Sequence, residues 1–200
     1  MMKLNLLLVL ALGLAACSHN NIVQKQPKVV KAKPAVNKIA GKFIDHRNGV
    51  ITDTSTGLMW KKCSEGQTGD NCKTGNAKKY SWDEVNSKFK RVYFAGYNDW
   101  RLPTISELAT LVYCSTGISS EIAGNYHCDG KNLQYHQNPY QRPTINLTAF
   151  PNTTDWKYWT SSKASASSAS HGYKGLAIYF FNGGKIVNKD LSHVRLVRKK

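Results

Sequence analysis

Basic side chains outnumber acidic ones by 28 Lys and Arg to 12 Asp and Glu, and much of the excess is clustered. The clusters are Lys61-Lys62, Lys78-Lys79, Lys88-x-Lys90-Arg91 and Arg195-x-x-Arg198-Lys199-Lys200. Their chemistry would be anion binding, to sulfate, phosphate or carboxylate groups repeated along a polymer. For any one cluster the plain alternative is a set of solvated lysines. Asp99 and Arg101 flank Trp100 in Asp99-Trp100-Arg101-Leu102-Pro103, where hydrogen bonding to nearby backbone in a tight turn explains them better than catalysis. Asp53, with Thr56 and Gly57, likewise reads as a side-chain-capped turn rather than a metal loop. The six histidines, His19, His46, His127, His136, His171 and His193, are dispersed, and the sequence has no His-Glu-x-x-His, Gly-x-Ser-x-Gly or phosphate-cradling glycine loop. Calcium-dependent sugar binding is disfavoured. Residues 115–155 offer only Glu121, Asp129 and Asp155 as carboxylates, and Gln137-Asn138-Pro139 has the wrong order for a sugar-binding triplet. These observations point to a binding protein with no catalytic residues, metal or cofactor.

The N-terminus gives the chain an address. Met1-Met2-Lys3 is followed by an apolar run from Leu4 to Ala16, broken only by Asn5 and Gly13, and then by Cys17. Residues 1–16 read as a signal peptide, and Leu14-Ala15-Ala16-Cys17 resembles the lipobox of bacterial lipoproteins. Cys17 would then be the lipidated first residue and the chain's link to the membrane. Ser18 behind it is compatible with sorting to the outer membrane, on either face. The remaining cysteines, Cys63, Cys72, Cys114 and Cys128, are an even set in an exported chain, and that implies two disulfides. Four cysteines allow three connectivities, and the short loops favour Cys63 with Cys72 and Cys114 with Cys128. Each bridge would stabilise the domain by about 2–4 kcal/mol. Zinc is disfavoured because there is no Cys-x-x-Cys pair.

The elements that must position these residues follow from composition and period. Residues 17–42 carry Lys25, Lys28, Lys31, Lys33, Lys38 and Lys42 with Pro27 and Pro34 and no acid, which reads as an extended tether. Removing Lys3 and those six lysines leaves 21 basic against 12 acidic residues, so a domain over 43–200 keeps a charge of +9. With 10% aromatic residues it can build a core, and no glycine period, long heptad run or apolar stretch of roughly 18 residues supports a collagen, coiled-coil or multi-span membrane reading. Asn48-Gly49 precedes a strand at Val50-Ile51-Thr52, which pairs through a polar turn with Leu58-Met59-Trp60. Residues 63–79 read as loop. Capping boxes at Ser81/Glu84 and Thr104/Glu107 start two short helices, with Trp82, Val85 and Phe89 on one apolar face and Ile105, Leu108, Leu111 and Val112 on the other. Between them, Gly96 to Pro103 reads as a compact turn with Trp100 and Leu102 anchored in the core. Residues 115–155 read as a long irregular region that faces ligand, and 163–171 as a mobile loop. Tyr158-Trp159-Thr160 is a strand, Leu176–Phe181 and Lys185–Val187 are a hairpin about Asn182-Gly183-Gly184, and Val194–Arg198 is a final strand. The class is α+β.

The motifs also form an ordered series: Asp53-x-x-Thr56-Gly57-Leu58-Met59-Trp60, Cys63-x-x-Gly66-Gln67, Gly96-Tyr97-x-Asp99-Trp100-Arg101-Leu102-Pro103-Thr104-x-x-Glu107-Leu108, Phe150-Pro151, Tyr158-Trp159-Thr160-Ser161-Ser162 and Val194-Arg195-Leu196-Val197-Arg198. The series resembles family 1566 of domains of unknown function, also called the Lcl C-terminal domain family after the Legionella collagen-like adhesin, over about residues 43–199. The resemblance implies a C-type-lectin-like fold of two short helices, antiparallel strands and a long loop region. For function it implies extracellular binding, with the adhesin engaging sulfated glycans; the collagen repeats of that adhesin are missing here. The expectation is a cell-envelope lipoprotein whose non-catalytic domain binds a polyanionic glycan or an envelope protein. The alternatives are a periplasmic structural accessory of a secretion or pilus assembly and, behind it, an enzyme acting on envelope sugars. Nucleic acid enters only as extracellular DNA.

Overall fold

The computed structural model describes residues 37–39, 41–117, 119–122, 125–128 and 140–200. The expected signal peptide, the lipid attachment at Cys17 and most of the tether lie outside the described residues, as do Asp129 and Gln137-Asn138-Pro139. Strand formation begins earlier than composition indicated. β1 (Asn37–Ile39) pairs antiparallel with β2 (Phe43–Asp45), so the sheet takes in residues assigned to the tether. Edge pairing of this kind uses backbone groups alone, so it leaves no apolar alternation to read in the sequence.

β3 (Val50–Asp53) and β4 (Leu58–Lys61) form the expected hairpin. Asp53 caps its turn as its position implied: Oδ1 accepts from the Ser55 backbone N at 2.9 Å and from the Ser55 hydroxyl at 2.6 Å. Gly57 follows at φ +71°, in the left-handed region that favours glycine. The segment between Cys63 and Lys79 holds only two-residue strands, β5 (Gln67–Thr68) and β6 (Thr74–Gly75). The Cys63–Cys72 disulfide closes it.

α1 (Trp82–Lys88) has both halves of its capping box: Ser81 Oγ accepts from Glu84 N at 3.3 Å, and Glu84 Oε2 accepts from Ser81 N at 2.8 Å. Residues 96–103 are not the compact turn expected. β7 (Val92–Phe94) and β8 (Tyr97–Trp100) form a hairpin, with Trp100 fully buried and its Nε1 donating to Phe94 O at 2.9 Å. α2 (Ile105–Ala109) starts at the second capping box, on Thr104 and Glu107. Within the region expected to be irregular, β9 (Ser119–Ile122) pairs with β10 (Asn125–Cys128), and Ile145, Ala149 and Phe150 are buried core residues.

β11 (Lys157–Lys163), β12 (Gly175–Tyr179) and β13 (Gly184–Asn188) make a second antiparallel sheet. The run expected to be a mobile loop holds α3 (Ala166–Ser170), because Ser165 caps it by accepting from Ser168 N at 3.3 Å. The last strand, β14 (Val197–Lys199), returns to pair with β4, giving the order β1-β2-β3-β4-β14. The fold is α+β, strand-rich with short helices.

All four residues of β3 are buried, so the first sheet is covered on both faces. Ile51 and Trp60, paired across β3 and β4, join Leu108, Leu111, Ile145, Phe150, Tyr158 and Phe180 in one cluster. Val50 and Met59 join Val85, Phe89, Trp100, Trp159 and Leu196 in the other. Each fully buried large apolar side chain contributes about 1.5–3 kcal/mol, so these clusters hold the sheets rigidly under the surface loops.

Candidate anion-binding surface

The basic clusters separate into three groups once their neighbours are seen. The first group is neutralised locally: Lys61 pairs with Glu65, Lys62 with Asp45 at 2.8 Å, and Lys88 with Glu84 at 3.2 Å across one helical turn. Arg198 is also taken, its Nε donating to Asp99 Oδ1 at 2.7 Å while its guanidinium lies 3.8 Å from the Tyr97 ring centroid. The second group is exposed with no ion pair among the described residues: Lys78, Lys79, Lys90, Arg91, Lys199 and Lys200.

Arg195 forms the third group alone, and here the sequence reading needs correcting. It is completely buried and is no part of a surface patch. Its Nη1 donates to the carbonyls of Lys61 and Lys62, and its Nη2 donates to Ser64 Oγ at 3.2 Å and Thr153 Oγ1 at 2.7 Å. The guanidinium lies 4.9 Å from the Phe150 ring centroid and 5.9 Å from that of Tyr158, with no carboxylate of the described residues in ion-pair range. Burial holds its pKa below the ordinary guanidinium value. Carbonyl dipoles, hydroxyls and ring faces replace water around it, so Arg195 ties the 61–64 segment and Thr153 to the last strand. Its immediate neighbours Val194 and Leu196 are buried apolar residues, and the exposed Lys199 and Lys200 follow only at the chain's end.

The Asp-Trp-Arg-Leu-Pro segment is structural, but not through the local turn expected. Asp99 reaches Arg198, 99 residues away, and Arg198's hydrogen bond lowers the Asp99 pKa. Arg101 makes a two-pronged pair with Glu107, at 2.8 and 2.7 Å. The hydrogen bond from Arg101, outweighing burial and helped by Thr104, brings the Glu107 pKa down to about 2. Pro103 is buried before α2, and its carbonyl accepts from Ser161 N at 2.7 Å. Burial alone would raise the Asp53 pKa, but hydrogen bonds from Ser55 and Lys42 reverse it and the carboxyl ends below its ordinary value.

A cleft of about 250 Å³ opens beside the first disulfide, lined by Arg47, Lys61, Lys62, Gln67, Asp70 and Phe94. Lys61 and Lys62 are paired with acids there, and Asp70 offsets Arg47, so the cleft does not concentrate positive charge. The second group carries part of the charge excess, shared with exposed lysines outside the clusters such as Lys73, Lys163 and Lys174. Both disulfides have the expected connectivity, Cys63–Cys72 and Cys114–Cys128, each with Cα atoms 5.2 Å apart. Among the described residues no cluster of three or more His, Cys, Asp or Glu could hold a metal ion.

The model of the Lcl C-terminal domain matches residues 49–198, which takes in every strand from β3 to β13 and all three helices described above. The chain belongs to the Lcl C-terminal domain family. Trp60, Trp100 and Leu108, conspicuous in the motif series, prove to be fully buried framework of the Lcl domain, while Asp99, Arg101 and Glu107 are its ion-pair links. No curated protein and no solved structure matches the chain.

Proposed function

We propose that this chain is a cell-envelope lipoprotein whose Lcl domain binds an anionic, sulfated or uronate-bearing glycan without transforming it. The observation that carries the reading is the separation of the cations: Lys78, Lys79, Lys90, Arg91, Lys199 and Lys200 stand exposed with no ion pair among the described residues, while Lys61, Lys62, Lys88 and Arg198 are paired with acids. Unpaired charge on a rigid framework attracts polyanions and loses little conformational freedom on binding. The lipobox-like segment ending at Cys17 supports attachment to the outer membrane, and the even cysteine set supports export. A C-type-lectin-like arrangement is part of the same proposal. It is supported by the return of β14 to the sheet of β1–β4, with the second disulfide beside the long 115–155 region.

A glycan array probed with the purified protein at low and physiological salt tests the reading. Saturable binding that selects among equally charged glycans supports it. Binding that follows charge density alone, or that vanishes at physiological salt, sends the search to an envelope protein. Radiolabelled palmitate on the unaltered chain, absent from Cys17→Ala, tests the anchor, and protease accessibility on intact cells tests which membrane face carries the domain.

A further inference from the structure

The cleft beside the first disulfide holds two opposite charges that the fold does not use. Arg47 and Asp70 both line it, both are exposed, and neither forms an ion pair with the other or with any other described residue. The remaining charges on its walls are satisfied within the chain: Lys61 pairs with Glu65, and Lys62 donates to Asp45 Oδ2 at 2.8 Å. Asp45 also holds the Arg47 backbone, its Oδ1 accepting from Arg47 N at 2.8 Å. That backbone stands at φ +56°, in the left-handed region where glycine costs the fold least. An arginine is therefore kept where the backbone disfavours it, and its guanidinium makes no hydrogen bond or ion pair among the described residues.

The rest of the lining suits a small polar molecule with an apolar part. Gln67, 6% exposed, has its Nε2 fixed on the Asn152 carbonyl at 3.1 Å and its Oε1 left without a donor. A buried acceptor in that state is costly, so the lining lacks a donor there. Phe94 supplies apolar surface, and Gly49 makes room for its ring, since a Cβ at Gly49 would stand 2.8 Å from it. At about 250 Å³ the space falls below the range of about 300–1,000 Å³ that holds drug-sized ligands. A second cleft, lined by Val85, Phe89, Lys90, Arg101 and Leu102, offers no such pair of charges, because Glu107 holds Arg101.

We propose that the cleft beside the first disulfide binds a small zwitterion, an amino acid or dipeptide, with its carboxylate on Arg47, its ammonium on Asp70 and its carbon chain against Phe94. The guanidinium fork matches a carboxylate. A simple anion meets repulsion from Asp70 and a simple cation from Arg47, so a ligand that carries both charges gains most. The site stands apart from the glycan-binding reading, none of whose six cations lines this cleft.

The test uses the full chain in detergent, with alanine, leucine, phenylalanine and dialanine as probes in saturation-transfer NMR. The tightest of the four loses about tenfold or more in affinity when its amine is acetylated and again when its carboxylate is made an amide. Arg47→Gly removes that binding and leaves the thermal midpoint unchanged or higher, because glycine suits the left-handed backbone. In Asp70→Asn the acetylated and free forms bind within about twofold of each other, and Lys199→Ala, outside the cleft, changes affinity by less than about twofold. Tighter binding of dialanine than of alanine assigns a peptide as the source, and the reverse order a free amino acid. Absence of binding by all four probes overturns the proposal, as do blocked forms that bind as well as the free one, or undiminished binding by Arg47→Gly.

Discussion

Glu107→Gln separates charge from capping within one side chain. Glu107 Oε2 accepts from Thr104 N at 2.7 Å to close the capping box, and both carboxylate oxygens hold Arg101. Glutamine keeps an acceptor for the cap and loses the charge that grips the guanidinium. The fall of the Glu107 pKa from 4.5 to about 2 would, fully expressed, stabilise the fold by about 3 kcal/mol. A third of the Arg101 side chain remains in solvent, so screening reduces the expected value to about 1–2 kcal/mol. Because the folded carboxyl is the stronger acid, the stabilisation is fully present above the unfolded value near 4.5 and is lost as pH falls towards 2. Urea unfolding of both proteins, followed by tryptophan fluorescence at neutral pH and again near pH 2.5, measures this directly. At neutral pH the variant lies about 1–2 kcal/mol below the unaltered protein, and near pH 2.5 most of that gap closes. A gap that is independent of pH, or one below about 0.3 kcal/mol at neutral pH as for an ordinary exposed pair, refutes the reasoning.

Three further outcomes are expected. Arg195→Ala strands the carbonyls of Lys61 and Lys62 and the hydroxyls of Ser64 and Thr153 in the interior, and it should cost about 3–5 kcal/mol in urea unfolding; a loss below about 1 kcal/mol would show that water replaces the guanidinium. Gly175→Ala drives a Cβ into the Trp82 ring, which packs edge-on to Trp159, and should cost about 1–3 kcal/mol with a changed near-ultraviolet dichroism spectrum. Burial outweighs the His193 hydrogen bond to the Lys78 carbonyl and, with nearby Lys79, lowers the His193 pKa below 6.5. Its neutral form therefore supports the fold above pH 6.5, and that support drains away as pH falls through the folded value; an imidazole titration by NMR with a midpoint at or above 6.5 contradicts this.

Local signals were the legible ones. The capping boxes at Ser81/Glu84 and Thr104/Glu107 and the Asn182-Gly183-Gly184 turn act within a few residues, so their geometry follows from spacing alone. Disulfide connectivity followed from loop length. What resisted reading was set at long range. Arg195 was grouped with the C-terminal Arg198, Lys199 and Lys200, yet its partners lie up to 134 residues away. The same distance hid the Asp99–Arg198 link, and β7 pairs with β8 where glycine and asparagine spelled only a turn.

The central claim is that the domain recognises an acidic sugar polymer rather than charge in general. Calorimetric titration of the full chain with heparin, and with polyglutamate of matched charge and length, at physiological salt tests this most directly. The account predicts heparin binding at least about tenfold tighter, a difference of about 1.4 kcal/mol. Equal affinity for the two polymers, or no heat of binding with either, contradicts it.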